Sequence, residues 1–321
     1  MRPPYELTTA IVKSIASISQ QIGEVNIRQM VRPNPALRKH NRIQTIHSSL
    51  KIEGNTLSED QITAILEDKR VLGPKKDIQE VVNAIGVYSD LQRFRFASEQ
   101  DFLLAHGSMM SGLVEKPGRY RTKGVGIAKG SDIRHMAPPA DRVPFLMANL
   151  FKYLRKDPES ALIKACVFHY ELEFIHPFMD GNGRMGRLWQ TVILMQVHPL
   201  FEFLPVETLI RENQKVYYQV LSRSDKEGKS TSFIEFMLTV IDRSLSGLLE
   251  QRLRRPSARE RLESFLDRFT AEFTRKDYMM QFKDISTATA SRDLKQGIDE
   301  KLIRKRGDKK NTIYWRLKRN V

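Results

Sequence analysis

His176, Asp180, Asn182, Arg184 and Arg187 fall within twelve residues, His176-Pro-Phe-Met-Asp-Gly-Asn-Gly-Arg-Met-Gly-Arg187, and each type has a use beside a phosphate. Histidine, with a pKa of about 6.5, suits general-base work at neutral pH. Asp180 is a hard oxygen ligand of the kind that Mg²⁺ takes together with substrate phosphates. Asn182 can donate to a non-bridging oxygen, and Gly181 and Gly183 let the backbone approach phosphate without a Cβ in the way. Arg184 and Arg187 are three apart, so they project from one helix face as two guanidinium forks suited to a polyphosphate chain. The combined chemistry is an in-line attack on a phosphate by a hydroxyl that His176 deprotonates.

The flanks must place these groups. Ile163, Val167, Tyr170 and Phe174 recur at helical spacing, which predicts an amphipathic helix over Leu162–Phe174. Pro177 biases His176 away from αR and ends that helix. Leu188, Val192 and Met195 resume the period, so the segment is helix, Gly-rich loop, helix. The unpaired N–H groups and dipole at the second helix's N-terminus attract anions. Asp180-Gly-Asn-Gly is not an EF-hand loop, because Arg184 and Thr191 stand where an oxygen ligand and a Glu are needed. Nor is it a P-loop, since no Gly-Lys-Ser/Thr follows. Singly, each residue reads as well as a packed or solvated loop residue; the joint spacing argues for a site.

The segment resembles the signature loop of the Fic family, nucleotidyltransferases that move AMP from ATP onto protein hydroxyls, and it matches at every motif position. The resemblance implies His176 as base, Asp180 as ligand of Mg²⁺ or Mn²⁺, and Asn182 with the glycine amides at the α-phosphate. It implies Arg184 and Arg187 at the β- and γ-phosphates, with pyrophosphate leaving, and Gly186 among the phosphate-binding residues. The intact Gly-Asn-Gly-Arg favours AMP transfer over use of other donors. Upstream, Leu37, Ile43, Ile46 and Leu50 predict a helix stopped by Gly54 and Asn55. That leaves Glu53 in the last turn, where the dipole disfavours a carboxylate. Ser49-x-x-x-Glu53-Gly54 resembles the family's inhibitory helix motif, whose Glu pairs with the second motif arginine. By that resemblance Glu53 occupies Arg187, Ser49 hydrogen-bonds beside it, and the site is largely switched off.

Glycines and the alternating Val125/Ile127 run predict a β-hairpin, closed by Pro138-Pro139 before a helix carrying Val143, Met147 and Leu150. It resembles the family's flap, which implies that Ile133, His135, Met136 and Pro138 line a groove for the target chain. Residues 251–321 hold 20 Lys/Arg against 10 Asp/Glu, ten of the chain's formal +15. Arg252, Arg254, Arg255 and Pro256 break the helix Phe233–Leu249 and read as a linker. Beyond it the pattern predicts a helix over Ala258–Phe273, a short helix capped by Thr274 and Asp277, and a third, Thr287–Lys301, capped by Ser286. Two strands then flank a basic turn. This resembles a winged helix-turn-helix, with Thr287, Thr289, Ser291, Arg292 and Lys295 facing a major groove and Arg304, Lys305 and Arg306 in a wing at phosphates. A docking or dimerisation module remains the other reading.

One cysteine, Cys166, excludes an intrachain disulfide and fits a reducing compartment. The start lacks a signal-type apolar region and no run of 18 apolar residues occurs, so a cytoplasmic chain without membrane contact is expected. The expected fold class is mainly α: a Fic-type helical core with a β-hairpin flap, plus a winged helix-turn-helix of three helices and a β-hairpin wing. The expected layout is an N-terminal helical region over 1–98, a catalytic core over 99–250, a linker over 251–257 and the basic domain over 258–321. Expected partners are ATP, a protein bearing a Ser, Thr or Tyr hydroxyl, the chain itself, DNA through the C-terminal domain, and a second copy in a homodimer. The competing function is a nucleotide-responsive DNA-binding regulator without turnover. The intact His176 weighs against it, because a sensor needs the arginines but not the base.

Overall fold

The computed structural model describes residues 2–27, 35–129, 132–253, 257–266, 269, 271–282, 285–308 and 312–317, and the chain divides into two units, Met1–Leu249 and Glu250–Val321. The first unit runs α1 (Thr9–Ile27), α2 (Pro35–Ile52), α3 (Glu59–Leu66), α4 (Lys75–Tyr88) and α5 (Glu99–Met109). A β-hairpin follows, β1 (Gly126–Lys129) and β2 (Asp132–Met136), antiparallel with Gly126 opposite Met136. Then come α6 (Val143–Lys156), α7 (Ala161–Ile175), α8 (Asn182–Leu194), α9 (Val206–Glu212), α10 (Gln214–Glu227) and α11 (Thr231–Leu253).

α7 and α8 pack against each other at the centre. α7 is not amphipathic: Leu162, Ile163, Val167, Phe168, Tyr170 and Leu172 are buried, and so is His169. Lys164, His169 and Tyr170 bond to neighbouring groups. Phe102 of α5, Phe151 of α6, Phe168 of α7 and Trp189 of α8 close the space between these helices, with ring centroids 5.1–5.8 Å from Phe102. Each such buried ring contributes roughly 1.5–3 kcal/mol of apolar burial, so the loop between α7 and α8 hangs from a rigid frame. Cys166 is fully buried in that frame.

α2 ends as the glycine rule requires. Gly54 has φ 94°, Asn55 N–H donates to Leu50 O at 3.1 Å, and Gly54 N–H to Lys51 O at 3.1 Å. This is a Schellman cap, and Glu53 is its last residue before the left-handed glycine. α11 continues through Arg252 to Leu253, beyond the expected break, and residues 254–256 of the expected linker lie outside the described part.

The second unit contains α12 (Ala258–Leu266), β3 (Phe273–Thr274), α13 (Arg275–Gln281), α14 (Thr287–Asp299), β4 (Ile303–Arg306) and β5 (Ile313–Arg316). The strands form an antiparallel sheet in the order β3-β5-β4. The first helix is therefore shorter than expected. It stops at Leu266, and Phe273 is a strand residue opposite Tyr314, with its ring 4.7 Å from that of Phe265. Thr274–Asp277 and Ser286–Thr289 cap α13 and α14. Gly297 lets α12 lie directly on α14, since a Cβ there would overlap Leu262. Asp293, 2% exposed, accepts from Arg261 Nε at 2.7 Å and Tyr278 OH at 3.0 Å, tying the three helices together. Among the described residues no helix is long and apolar enough to cross a membrane.

Candidate active site

α7 ends on Ile175, and His176 takes φ 50° and ψ 59°, a left-handed conformation that costs a non-glycine residue roughly 1–2 kcal/mol. Arg121 holds it there. Its Nε donates to His176 O at 2.7 Å and its Nη2 to Ile175 O at 3.3 Å, while its own N–H donates to Pro177 O at 2.8 Å. The same guanidinium donates to Lys123 O and Pro138 O, joining the base of the β-hairpin to the loop. Sequence reasoning passed over this buried arginine.

Asn182 shapes the loop with its side chain. Its Oδ1 accepts from Phe178 N–H and its Nδ2 donates to Phe178 O, both at 2.9 Å. What remains for a phosphate is its backbone N–H, beside that of Gly183, in the first turn of α8. Gly181 has φ 89°, and a Cβ there would lie 2.7 Å from Met110 Sδ. His106 stacks on Phe178 at 3.6 Å and accepts from Gly118 N–H through Nδ1, so its Nε2 carries the proton donated to Asp180 O at 3.1 Å. Burial lowers its pKa to about 4, which keeps this histidine neutral and structural.

The two arginines diverge. Arg187 is 2% exposed; its Nε donates to Ser49 Oγ at 3.0 Å, and its Nη2 to Ser49 O at 3.0 Å and Glu53 Oε1 at 2.7 Å. Burial, the largest single influence, opposes its charge, but Glu53, Tyr217 and Glu173 together outweigh it and hold the guanidinium above its ordinary pKa. A Cβ on Gly183 would overlap Glu53 Oε1, so the carboxylate lies against the N-terminal turn of α8. Arg184 does not join Arg187 on one open face, as the spacing suggested. Glu80 of α4 draws it away, accepting from Nη1 at 3.0 Å, while Nη2 donates to Asp180 Oδ1 at 2.9 Å. It is 3% exposed and stands behind the cavity wall.

A cavity of about 250 Å³ opens between the loop and α10. His176, Asp180, Gly181, Asn182, Gly183 and Arg187 form one wall; Glu53, Glu173, Phe174, Met179 and the α10 residues Tyr217, Tyr218, Leu221, Ser222 and Asp225 contribute the rest. Gly186 lies outside it, where a Cβ would come 2.7 Å from His169 Cδ2. The Asp180 side chain is 46% exposed, and its Oδ1 also accepts from Gly181 N–H at 2.6 Å. Among the described residues no cluster of three or more His, Cys, Asp or Glu could hold an ion by itself. One carboxylate fits a cation that arrives with phosphates, as Mg²⁺ and Mn²⁺ do.

Glu173 is the other carboxylate of the cavity. Burial, then the nearby Glu53 charge, raises its pKa to about 7, and Tyr217 OH lies 3.4 Å from its Oε1. A raised pKa in the folded state stabilises at low pH, and that contribution is lost as pH rises from about 4.5 through about 7. Relative to the unchanged chain, Glu173→Gln should therefore gain thermal stability on going from about pH 5 to about pH 8.5. Scanning calorimetry at the two pH values would read a relative shift of roughly 3 °C or more. A difference independent of pH would place the titration elsewhere.

The other expected sites are only partly placed. Ile133, His135 and Met136 lie on β2, and their side chains are outside the described part. Pro138 is half-buried and holds Arg121 through its carbonyl. In the second unit Thr287, Arg292, Lys295, Arg304, Lys305 and Arg306 are exposed, and Arg306 pairs with Glu272 at 2.7 Å. Thr289 Oγ1 is bonded to Ser286 Oγ, and Ser291 Oγ to Thr287 O and Arg275 Nη1, so these two hydroxyls brace α14.

The Fic/DOC family profile matches residues 96–194, the stretch that contains the loop and its supporting helices. The chain is 40% identical to a Fic family protein from Desulfovibrio desulfuricans G20, whose crystal structure it matches with a TM-score of 0.76 over 100% of this chain and 99% of that one. It is 31% identical over 238 residues to a protein adenylyltransferase Fic from Nematostella vectensis, covering 70% of this chain and 52% of the relative. The chain thus spans about half the length of the curated relatives it matches. A Fic-1 fragment from C. elegans shares the fold at 21% identity and a TM-score of 0.62, over 75% of this chain and 72% of that one. With the signature loop complete and a 40% likeness running from end to end, this protein belongs to the Fic family.

Proposed function

We propose that the chain is a protein adenylyltransferase, moving AMP from ATP to a hydroxyl of a protein target or of itself, and that Glu53 holds it back. The observation that carries this reading is one cavity uniting His176, the N–H groups that open α8, and Arg187. The triphosphate runs from the α8 N-terminus to Arg187. The nucleoside lies along α10, where Tyr218, Leu221, Ser222 and Asp225 form a stripe at helical spacing. The target oxygen bonds to the α-phosphorus, the bond to the bridging oxygen breaks, pyrophosphate leaves, and His176 takes the hydroxyl proton. Asp180 would hold Mg²⁺ or Mn²⁺, which would supply charge neutralisation for the leaving pyrophosphate. Arg184 acts from behind by orienting Asp180. The β-hairpin, anchored to the loop by Arg121, presents β2 as a strand edge for the target backbone. Incubation with ATP and Mg²⁺ followed by mass spectrometry should find AMP on Ser, Thr or Tyr. Absence of AMP from wild type, Glu53→Gly and His176→Ala alike, with lysate proteins present, would sink the reading.

The second unit favours a nucleic-acid role in localising the enzyme. Its exposed basic side chains include Arg292 and Lys295 on α14 and Arg304, Lys305 and Arg306 on β4, beside others on α12, α13 and β5. Duplex binding by this route depends on phosphate neutralisation. Affinity should fall by about 10²-fold or more between roughly 50 and 200 mM salt, measured by fluorescence anisotropy. A salt-independent signal, or none, would favour docking to protein instead.

A further inference from the structure

Glu80 lies outside the signature loop, on α4, yet both of its carboxylate oxygens are engaged and it is 5% exposed. Oε1 accepts from Arg184 Nη1 at 3.0 Å; Oε2 accepts from Asn55 Nδ2 at 2.8 Å. Arg184 reaches on to Asp180, and Asn55 follows Glu53 by two residues. A single carboxylate therefore touches both the support of the phosphate loop and the end of the helix carrying the inhibitory residue. Asn55 is well anchored: its Nδ2 also donates to Asp77 O at 3.1 Å, and its Oδ1 accepts from Leu57 N–H at 3.0 Å. Between this anchor and Glu53 stands only Gly54, the residue with φ 94°. A buried carboxylate is costly unless its lone pairs are used, and here they are divided between the two parts of the site.

We infer that Glu80 is a positioning residue that fixes the end of α2 through Asn55, so that Glu53 stays on Arg187, while the same side chain holds Arg184 against Asp180. The inference rests on the reading of Glu53 as a block to nucleotide binding. Loosening the Asn55 contact frees residues 53–55 to move while leaving Arg187 and Ser49 untouched. The site and its block are thereby joined through one acidic side chain.

The test is equilibrium binding of α,β-methylene ATP with Mg²⁺, which requires no transfer chemistry. Glu80→Gln presents a donor to Asn55 Nδ2 or to Arg184, so one bond is lost; Asn55→Ala breaks the contact with every charge retained. Each should tighten binding about three- to tenfold, and neither should do so once Glu53→Gly is present. Asn55→Ala carries the result if Glu80→Gln fails to fold. Tightening that persists in the Glu53→Gly background reflects relief of charge or packing and overturns the inference. If Glu53→Gly tightens binding but Asn55→Ala does not, the inference alone fails. Equal binding by Glu53→Gly and the unchanged chain removes the blocking role of Glu53, and this inference with it.

Discussion

Glu53→Gly should raise the initial rate of AMP incorporation from ATP at least about tenfold, and toward a hundredfold. A tenfold change needs about 1.4 kcal/mol of barrier. Arg187 is 2% exposed, and removing one partner from a buried charge pair leaves roughly 3–5 kcal/mol uncompensated. Glu53 is 31% exposed on its side chain, which reduces that figure, but a hundredfold gain needs only part of it. A nucleotide phosphate supplies the missing negative charge, so the substitution converts an internal contact into substrate affinity. Thermal stability should move in opposite senses: lower than the unchanged chain without ATP, and recovered by Mg²⁺ and ATP. Glu53→Gln separates charge from the added backbone freedom of a second glycine beside Gly54. A rate within twofold of the unchanged chain would show that the Glu53–Arg187 pair is a structural contact and not a block.

His176→Ala should abolish transfer to within measurement, a loss of about 10²–10⁴-fold from removal of a general base, while leaving nucleotide binding close to unchanged. The comparison is best made in the Glu53→Gly background, where the starting rate is high. Because His176 occupies the left-handed region, alanine adds a small backbone penalty at the same position. His176→Asn serves as the control, since asparagine tolerates that conformation and lacks a base of suitable pKa. Loss in both variants with binding intact assigns the proton to His176. Retained incorporation in either would move the base to another group of the cavity, with Glu173 the first to examine.

The parts of the site legible in the sequence are those written consecutively. His176 to Arg187 carry their spacing within one loop, and Ser49 with Glu53 within one helix end; the structure brings the two segments together through Arg187. The residues that hold them are not legible, because their partners lie far along the chain. Glu80 meets Arg184 across 104 positions, and Arg121 meets His176 across 55. Periodicity names a face but not the competitor waiting at it, so it put Arg184 beside Arg187 when Glu80 draws it elsewhere. For the same reason α7 read as amphipathic. His169 and Glu173 look like a wet face, yet His169 is bonded to Gln190 and Tyr217 inside the core. The cavity wall on α10 gave little signal, since a stripe mixing Tyr218, Leu221, Ser222 and Asp225 resembles an ordinary half-buried helix. In the second unit, Leu262, Phe265, Leu266 and Phe269 continued a helical period toward Phe273, but pairing with Tyr314 claimed that residue for the sheet.

Gly183 has a consequence for how this protein reads its surroundings. The space where its Cβ would stand is taken by a Glu53 carboxylate oxygen, so under the proposed function an internal anion and an incoming phosphate exclude one another. On the proposed reading only molecules with Glu53 withdrawn bind nucleotide, and the apparent dissociation constant equals the intrinsic one divided by their fraction. If about 1% are withdrawn, half-saturation needs about a hundredfold more nucleotide. The dose–response midpoint is then set by the conformational equilibrium of a helix end, and any partner that shifts that equilibrium retunes the midpoint without contacting the nucleotide.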